Sequence, residues 1–139
     1  MQVELFEAYF ECRRNKRNTI NALRFETRFE EHLFALADEL LSGTYRPGRL
    51  LAFIVKNPVT REIFASDFRD RVVHHFLIRQ LNPYFESLFI NDSYACRKGK
   101  GTLFGIRRIE SHMKNITDHY STGAYILKLD IRGFFMNID

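Results

Sequence analysis

The run Leu127-Lys-Leu-Asp130-Ile-Arg-Gly-Phe-Phe135 places one carboxylate at the end of an alternating apolar segment. A carboxylate at the end of a strand can ligate Mg²⁺ at an open surface. Nucleotidyl transfer needs such ligands, because metal ions there activate the attacking hydroxyl and stabilise the leaving pyrophosphate. An Asp after a strand also often does no more than turn the chain, and for Asp130 alone that plainer reading is the better one. Lys56 and Arg61 flank the turn Asn57-Pro58-Val59-Thr60. A Lys point charge and a forked Arg donor suit a triphosphate, although two basic residues beside a turn are more often solvated surface. A third run, Ser93-Tyr-Ala-Cys-Arg-Lys-Gly-Lys-Gly-Thr102, spaces Arg97, Lys98 and Lys100 among glycines. Glycine lets backbone approach a phosphate, and Thr102 is expected to cap a helix whose N-terminus favours anions. The run lacks the G-x-x-x-x-G-K-[ST] spacing of an ATPase phosphate loop, and no strand precedes it. His74 and His75 are adjacent, about 100° apart on a helix, so they cannot chelate one ion together. One is expected to pack and the other to face solvent.

The elements that must hold these residues follow from periodicity. Residues 3–15 read as an amphipathic helix through Leu5, Phe6, Tyr9 and Phe10, followed by a polar turn at 14–18. Phe29, Leu33, Leu36 and Leu40 mark a longer helix, with Ser42-Gly43 as its stop. Arg49–Lys56 and Arg61–Ala65 read as a β-hairpin. Ser66 or Asp67 is expected to cap a helix with the buried stripe Val73, Phe76, Leu77 and Leu81. Asp67 and Asp70 are expected to serve that helix's N-terminus and to pair with Arg69 or Arg71. Asn82-Pro83 is expected to interrupt it, with a short helix beyond. After the loop 91–101 a helix carries Leu103, Ile106, Ile109, Met113 and Ile116 on one stripe. From Ala124 to Ile131 the period changes to two, which predicts a strand with Asp130 on the face opposite Tyr125, Leu127, Leu129 and Ile131.

The 139 residues suffice for one domain with a core. Phe occurs 14 times and Trp not at all. No apolar run approaches the roughly 20 residues of a membrane span. The order of charge and apolar residues in the first 17 is wrong for a signal peptide. Cys12 and Cys96 form no metal-type pair and no disulfide framework, which points to a reducing, cytoplasmic setting. Net charge is +4, a mild value. The distribution matters more: Ser93–Ile109 contains Arg97, Lys98, Lys100, Arg107 and Arg108 and no acid. Arg13, Arg14, Lys16 and Arg17 form a second cluster. Such clusters attract phosphate backbones, although each alone is most simply a solvated face.

Taken together, four motifs in order from Leu50 to Asp139 resemble bacterial reverse transcriptases of the group II intron, retron and diversity-generating retroelement type. The Asp130 run resembles the first catalytic motif of that family, with an aromatic residue five positions after the Asp. The hairpin resembles the fingertip, Asp67-Phe-Arg-Asp-Arg-Val-Val-His-His75 the helix that follows it, and Ser93–Thr102 the family's Ser-Tyr-x-x-Arg-x-Gly segment. The family's fingertip commonly has Pro just before the Lys. Here Val55 stands in that place and Pro58 follows two residues after Lys56, which reshapes the turn. The resemblance implies Asp130 as catalytic metal ligand for two Mg²⁺ ions, assisted by the Ile131 carbonyl. It implies Lys56, Arg61 and the Gly133 and Phe134 amides as dNTP contacts, with Phe135 beneath the sugar selecting deoxynucleotides. Arg97, Lys98 and Lys100 would lie along the RNA template and DNA primer.

The expected fold is therefore α+β: a mainly helical fingers subdomain with a small antiparallel hairpin and the first palm strand. Expected segments are an N-terminal helical extension (1–49), fingers (50–123) and a palm start (124–139). The expected function is the N-terminal part of an RNA-directed DNA polymerase. The second metal motif, aromatic-x-Asp-Asp, is not in these 139 residues. Asp139, nine residues past Asp130, lies beyond the catalytic turn and does not replace it. Metal ligands contribute several kcal/mol at the phosphoryl centre, so the chain alone is expected to retain no two-metal site and no activity. Exposed apolar surface and a strand edge near Tyr125–Ile131 lean toward a homodimer. The rival classes are a non-catalytic RNA-binding module, favoured by a basic loop that needs no metal, and a relative of the template-independent abortive-infection polymerases.

Overall fold

The computed structural model describes residues 1–14 and 19–134. Along the chain run α1 (Gln2–Arg13), α2 (Ile20–Glu26), α3 (Phe29–Leu41), β1 (Leu51–Val55), β2 (Arg61–Ala65), α4 (Phe68–Leu88) and α5 (Thr102–Ile116). The class is α+β and mainly helical, and the described residues hold one two-stranded antiparallel sheet. Two compact units divide the chain, Met1–Leu88 and Phe89–Asp139. The predicted turn at 14–18, apart from Arg14, lies outside the described residues, as do Phe135 and Asp139.

In the first unit, α1 buries Leu5, Ala8, Tyr9 and Cys12, one stripe at helical spacing. Phe10, expected on that stripe, is exposed. The helix expected through Phe29, Leu33, Leu36 and Leu40 is α3, and a short helix not anticipated, α2, precedes it. Thr27 Oγ1 turns back to donate to the Arg24 carbonyl at 2.7 Å, and Arg28 leaves helical geometry. That break lets Phe25 and Phe29 both reach Tyr9, whose ring stacks on Phe29 at 5.2 Å and lies 5.8 Å from Phe25. Phe68 from α4 meets Tyr9 edge-on at 6.1 Å and Phe25 at 5.4 Å. Burying each such ring contributes about 1.5–3 kcal/mol, so this aromatic cluster is the unit's anchor. Leu33, Leu36 and Ala37 of α3 complete the core. The α3 stop is as expected: Ser42 Oγ donates to the Asp38 carbonyl at 2.7 Å, and Gly43 takes a left-handed φ of +68°.

Helix α4 begins where Asp67 Oδ1 accepts the Arg69 amide at 3.1 Å. It does not break at Asn82-Pro83 but runs through to Leu88. Pro83 has no N–H to give the Arg79 carbonyl, and the helix continues past it. Its buried residues are Phe68, Asp70, Val72 and Val73; Leu77 and Leu81, expected inside, are exposed. The face of α4 that meets α1 is a different one, and α1 meets it with carboxylates. Glu7 and Glu11 pair with Arg79, and Glu4 accepts from Gln80 at 2.9 Å. His74 and His75 are both exposed rather than one packed, and His75 lies 4.0 Å from Glu11. The described residues contain no helix long and apolar enough to cross a membrane.

In the second unit, Gly101 and not Thr102 occupies the cap of α5; Thr102 is already helical, and no side chain bonds the cap. Of the expected stripe, Leu103, Ile106, Ile109 and Ile116 are all more than half exposed. Past α5, Thr117 Oγ1 donates to the Met113 carbonyl, and Asp118, His119 and Tyr120 take left-handed φ of 46°, 53° and 69°. Non-glycine residues resist that region, so Thr117 must hold them. Its carbonyl accepts from the Ser121 and Thr122 amides at 2.9 Å. The predicted strand 124–131 is not in a sheet: among the described residues no strand pairs with it. Period-two sequence favours β geometry, but a strand exists only with a partner's hydrogen bonds.

Candidate nucleic-acid interface

The hairpin is built by antiparallel pairing of Leu51 with Ala65 through Val55 with Arg61. Val55–Arg61 is the last pair, so Lys56 and Arg61 stand at the two ends of the turn 56–60, and all of these residues are exposed. The Asn57–Pro58 peptide in this turn is cis. β1 is exposed along its length. Two strands alone are marginal, so the base of the ribbon must be tied down.

Asp70 does this. It is 2% exposed, and its carboxylate accepts from the Tyr45 hydroxyl and from the Gly48 amide, both at 2.8 Å. Gly48 lies three residues before β1 begins. A Cβ there would meet Asp70 Oδ2 at 3.1 Å, so the close approach favours glycine. Arg69 adds a cation: its guanidinium sits 5.1 Å from the Tyr45 ring centre, 3.8 Å from Asp70 Oδ1, and pairs with Glu39. Burial, and then the bond to Asp70, push the Tyr45 hydroxyl up to about 12. Asp67 serves the helix N-terminus as expected, whereas Asp70's main partners lie 22 and 25 residues upstream.

The basic loop has a similar anchor. Asp92 receives two bonds from Arg108, at 2.8 and 3.2 Å, one from the Tyr94 hydroxyl at 2.8 Å, and lies 3.3 Å from His112 Nε2. Arg108 and then Tyr94 hold the Asp92 carboxyl well below the usual carboxylate range. The Tyr94 ring also packs over Gly105, where an added Cβ would come within 3.3 Å of it. These contacts clip the loop to α5.

Within the loop, Arg97 donates to the Ile90 and Ser93 carbonyls at 2.9 and 3.0 Å and lies over the Phe89 ring. Lys100 donates to Asn91 through its carbonyl and its Oδ1, and sits over Phe104. Lys98 is exposed. So two of the three expected nucleic-acid contacts also shape the loop, and Lys98 projects charge outward. Asp92, Tyr94 and Arg108 were not legible as a group, because sixteen residues separate Asp92 from Arg108 and no motif spacing links them.

Asp130 is exposed and lines a shallow hollow of about 450 Å³ with Leu129, Ile131 and Phe134. Gly133 adopts a left-handed φ of +61° in the turn that follows. A hard cation such as Mg²⁺ demands several oxygen ligands, and a two-ion centre needs more than one carboxylate. The described residues contain no cluster of three or more Asp, Glu, His or Cys side chains. Lys56 and Arg61 fall in the first unit; Arg97, Lys98, Lys100, Asp130, Ile131, Gly133 and Phe134 fall in the second.

No family model matches the chain. Over 118 residues, 84% of this chain, it is 26% identical to Protein YkfC of Escherichia coli (strain K12). The chain spans 30% of the length of that relative.

Proposed function

We propose that this chain is the fingers and palm start of an RNA-directed DNA polymerase of the bacterial reverse-transcriptase type, a surface that takes template–primer and an incoming dNTP. The observation that carries the reading is the Val55–Arg61 pair, which sets Lys56 and Arg61 at the two ends of one exposed turn. A triphosphate presents several negative oxygens, and two cations on a tied-down ribbon suit it. The clipped basic loop supports the same reading, since it offers charge to a nucleic-acid backbone on a fixed platform. In the parent enzyme, Mg²⁺ would neutralise charge at the transferring phosphate, with Asp130 as one of its ligands.

The test is dNTP affinity of the 139-residue chain. Lys56→Ala and Arg61→Ala should each weaken it by about 1 kcal/mol, roughly fivefold, with unchanged circular dichroism. Unchanged affinity in both would sink the nucleotide assignment. Templated incorporation by the 139 residues alone should be undetectable, because the described residues hold no cluster of three or more metal-ligating side chains and a two-ion centre needs several.

A second reading, a non-catalytic RNA-binding module, is favoured by the clipped basic loop, which needs no metal. It keeps the loop and discards the nucleotide clamp. Loss of RNA binding in loop variants, with no dNTP binding at all, would select it.

A further inference from the structure

His112 stands between two partners that ask opposite things of it. Its Nε2 lies 3.3 Å from Asp92 Oδ2 and 3.3 Å from Arg108 Nη2. A carboxylate oxygen only accepts, and a guanidinium only donates. With a proton on Nε2 the ring can bond Asp92, and with a bare lone pair it can bond Arg108. Neutral imidazole can take either form. The charged ring carries N–H on both nitrogens, so at Nε2 it has only Asp92 to give to. Imidazole is the side chain whose charge ordinarily changes roughly between pH 5 and 8. We propose that protonation of His112 tightens the clip between Asp92 and α5, so that the basic loop 91–101 grips the helix more firmly as pH falls through the imidazole range.

The sign follows from which group belongs to which element. Asp92 is on the loop, whereas Arg108 and His112 are both on α5, four residues apart. Repulsion between Arg108 and a charged His112 is present whether or not the loop is docked, so it does not oppose docking. Docking adds the attraction of a second cation to the Asp92 carboxylate. Asp92 Oδ1 already accepts from Arg108 Nε and from the Tyr94 hydroxyl, both at 2.8 Å. Oδ2 accepts from Arg108 Nη2 at 3.2 Å, and an oxygen takes two bonds, so it has a place for His112.

The neighbouring charges permit this. Arg108 and then Tyr94 hold Asp92 well below the usual carboxylate range, so the carboxylate is still charged when an imidazole takes its proton. The Tyr94 hydroxyl is uncharged throughout that range. The loop's own cations are set elsewhere. Arg97 donates to the Ile90 and Ser93 carbonyls, and Lys98 is exposed. Lys100 sits over Phe104, about 12 Å along α5 from His112. Asp92, Tyr94, Arg108 and His112 all belong to the second unit, so the device is complete within it. It does not depend on the polymerase reading, because it is read from the free chain.

Amide hydrogen exchange at Ser93 and Lys100, whose N–H groups bond the Ile90 and Arg97 carbonyls at 3.2 Å, reports the loop directly. Wild type and His112→Gln are compared at about pH 5 and about pH 8, on either side of the imidazole range, and the intrinsic pH dependence of exchange cancels in their ratio. Gln keeps a neutral donor and acceptor and removes only the titratable charge. The two proteins should match near pH 8. Near pH 5 wild type should exchange about twofold to fivefold more slowly, the yield of one half-exposed ion pair. His112→Lys is charged at both values and should slow exchange relative to His112→Gln at both. Circular dichroism should be unchanged in each variant. A wild-type to His112→Gln ratio that is the same at both pH values would overturn the proposal, and so would a His112→Lys loop no slower than that of His112→Gln.

Discussion

The Tyr45 hydroxyl donates to Asp70 at 2.8 Å across 25 residues of chain, and the Gly48 amide takes the other oxygen. This buried carboxylate ties the strand entering the hairpin to the first turn of α4. Replacing it by Ala removes two part-buried bonds to a charged acceptor, from the Tyr45 hydroxyl and the Gly48 amide, each contributing about 1.5–3 kcal/mol. Asp70→Ala should therefore lower unfolding free energy by about 3 kcal/mol, and Tyr45→Phe by about 1 kcal/mol. Urea titration of each variant measures this. Equal, negligible losses would show that the tie contributes nothing.

The raised Tyr45 gives a pH dependence. Its folded value is about 12 against an ordinary 10, so the folded state holds the phenolic proton more tightly. That stabilisation is fully present below pH 10 and is lost as pH rises toward 12. Wild type should lose stability more steeply than Tyr45→Phe across that window. Parallel curves for the two proteins would contradict the assignment.

Asp92 works at the opposite end of the scale. Its folded value is depressed by Arg108 and Tyr94, so its contribution is present above the ordinary carboxylate value of 3.8 and fades as pH falls below it. Arg108→Ala should remove most of that acid sensitivity. Amide hydrogen exchange across 91–101 should also quicken in that variant, because the loop loses its clip to α5. Exchange that matches wild type would mean the loop is held by other contacts.

Arg97 and Lys98 should differ in how they affect RNA affinity. Lys98→Ala removes an outward charge, so affinity should fall and the salt slope should drop by about one. Arg97→Ala removes the bonds to the Ile90 and Ser93 carbonyls, so it should weaken binding and also speed exchange in the loop. The triple Arg97→Ala/Lys98→Ala/Lys100→Ala variant should bind least. If its affinity and salt slope equal those of wild type, the loop does not contact the backbone.

Much of this was legible in the chain. Helical spacing at Leu5 and Tyr9, and at Phe29, Leu33 and Leu36, marked core faces, because a helix repeats its contacts every three or four residues whatever it packs against. The hairpin was legible because its turn carries Asn57-Pro58 between two β-rich runs. The Gly43 stop followed from backbone freedom alone.

Periodicity names a face but not its partner, and that is where expectation and structure part. Leu77 and Leu81 are exposed, while α1 meets α4 on another face, where Glu7 and Glu11 pair with Arg79 and Glu4 accepts from Gln80. Residues 124–131 alternate as a strand should, yet a strand is defined by hydrogen bonds to another segment, and no described segment supplies them. The sequence by itself determined which residues carry charge, which turn, and which could line a core. Only the tertiary structure decided that Asp70 meets Tyr45 and Gly48, and that Asp92 meets Arg108, because those partners are brought together by packing of distant elements and leave no mark in local spacing.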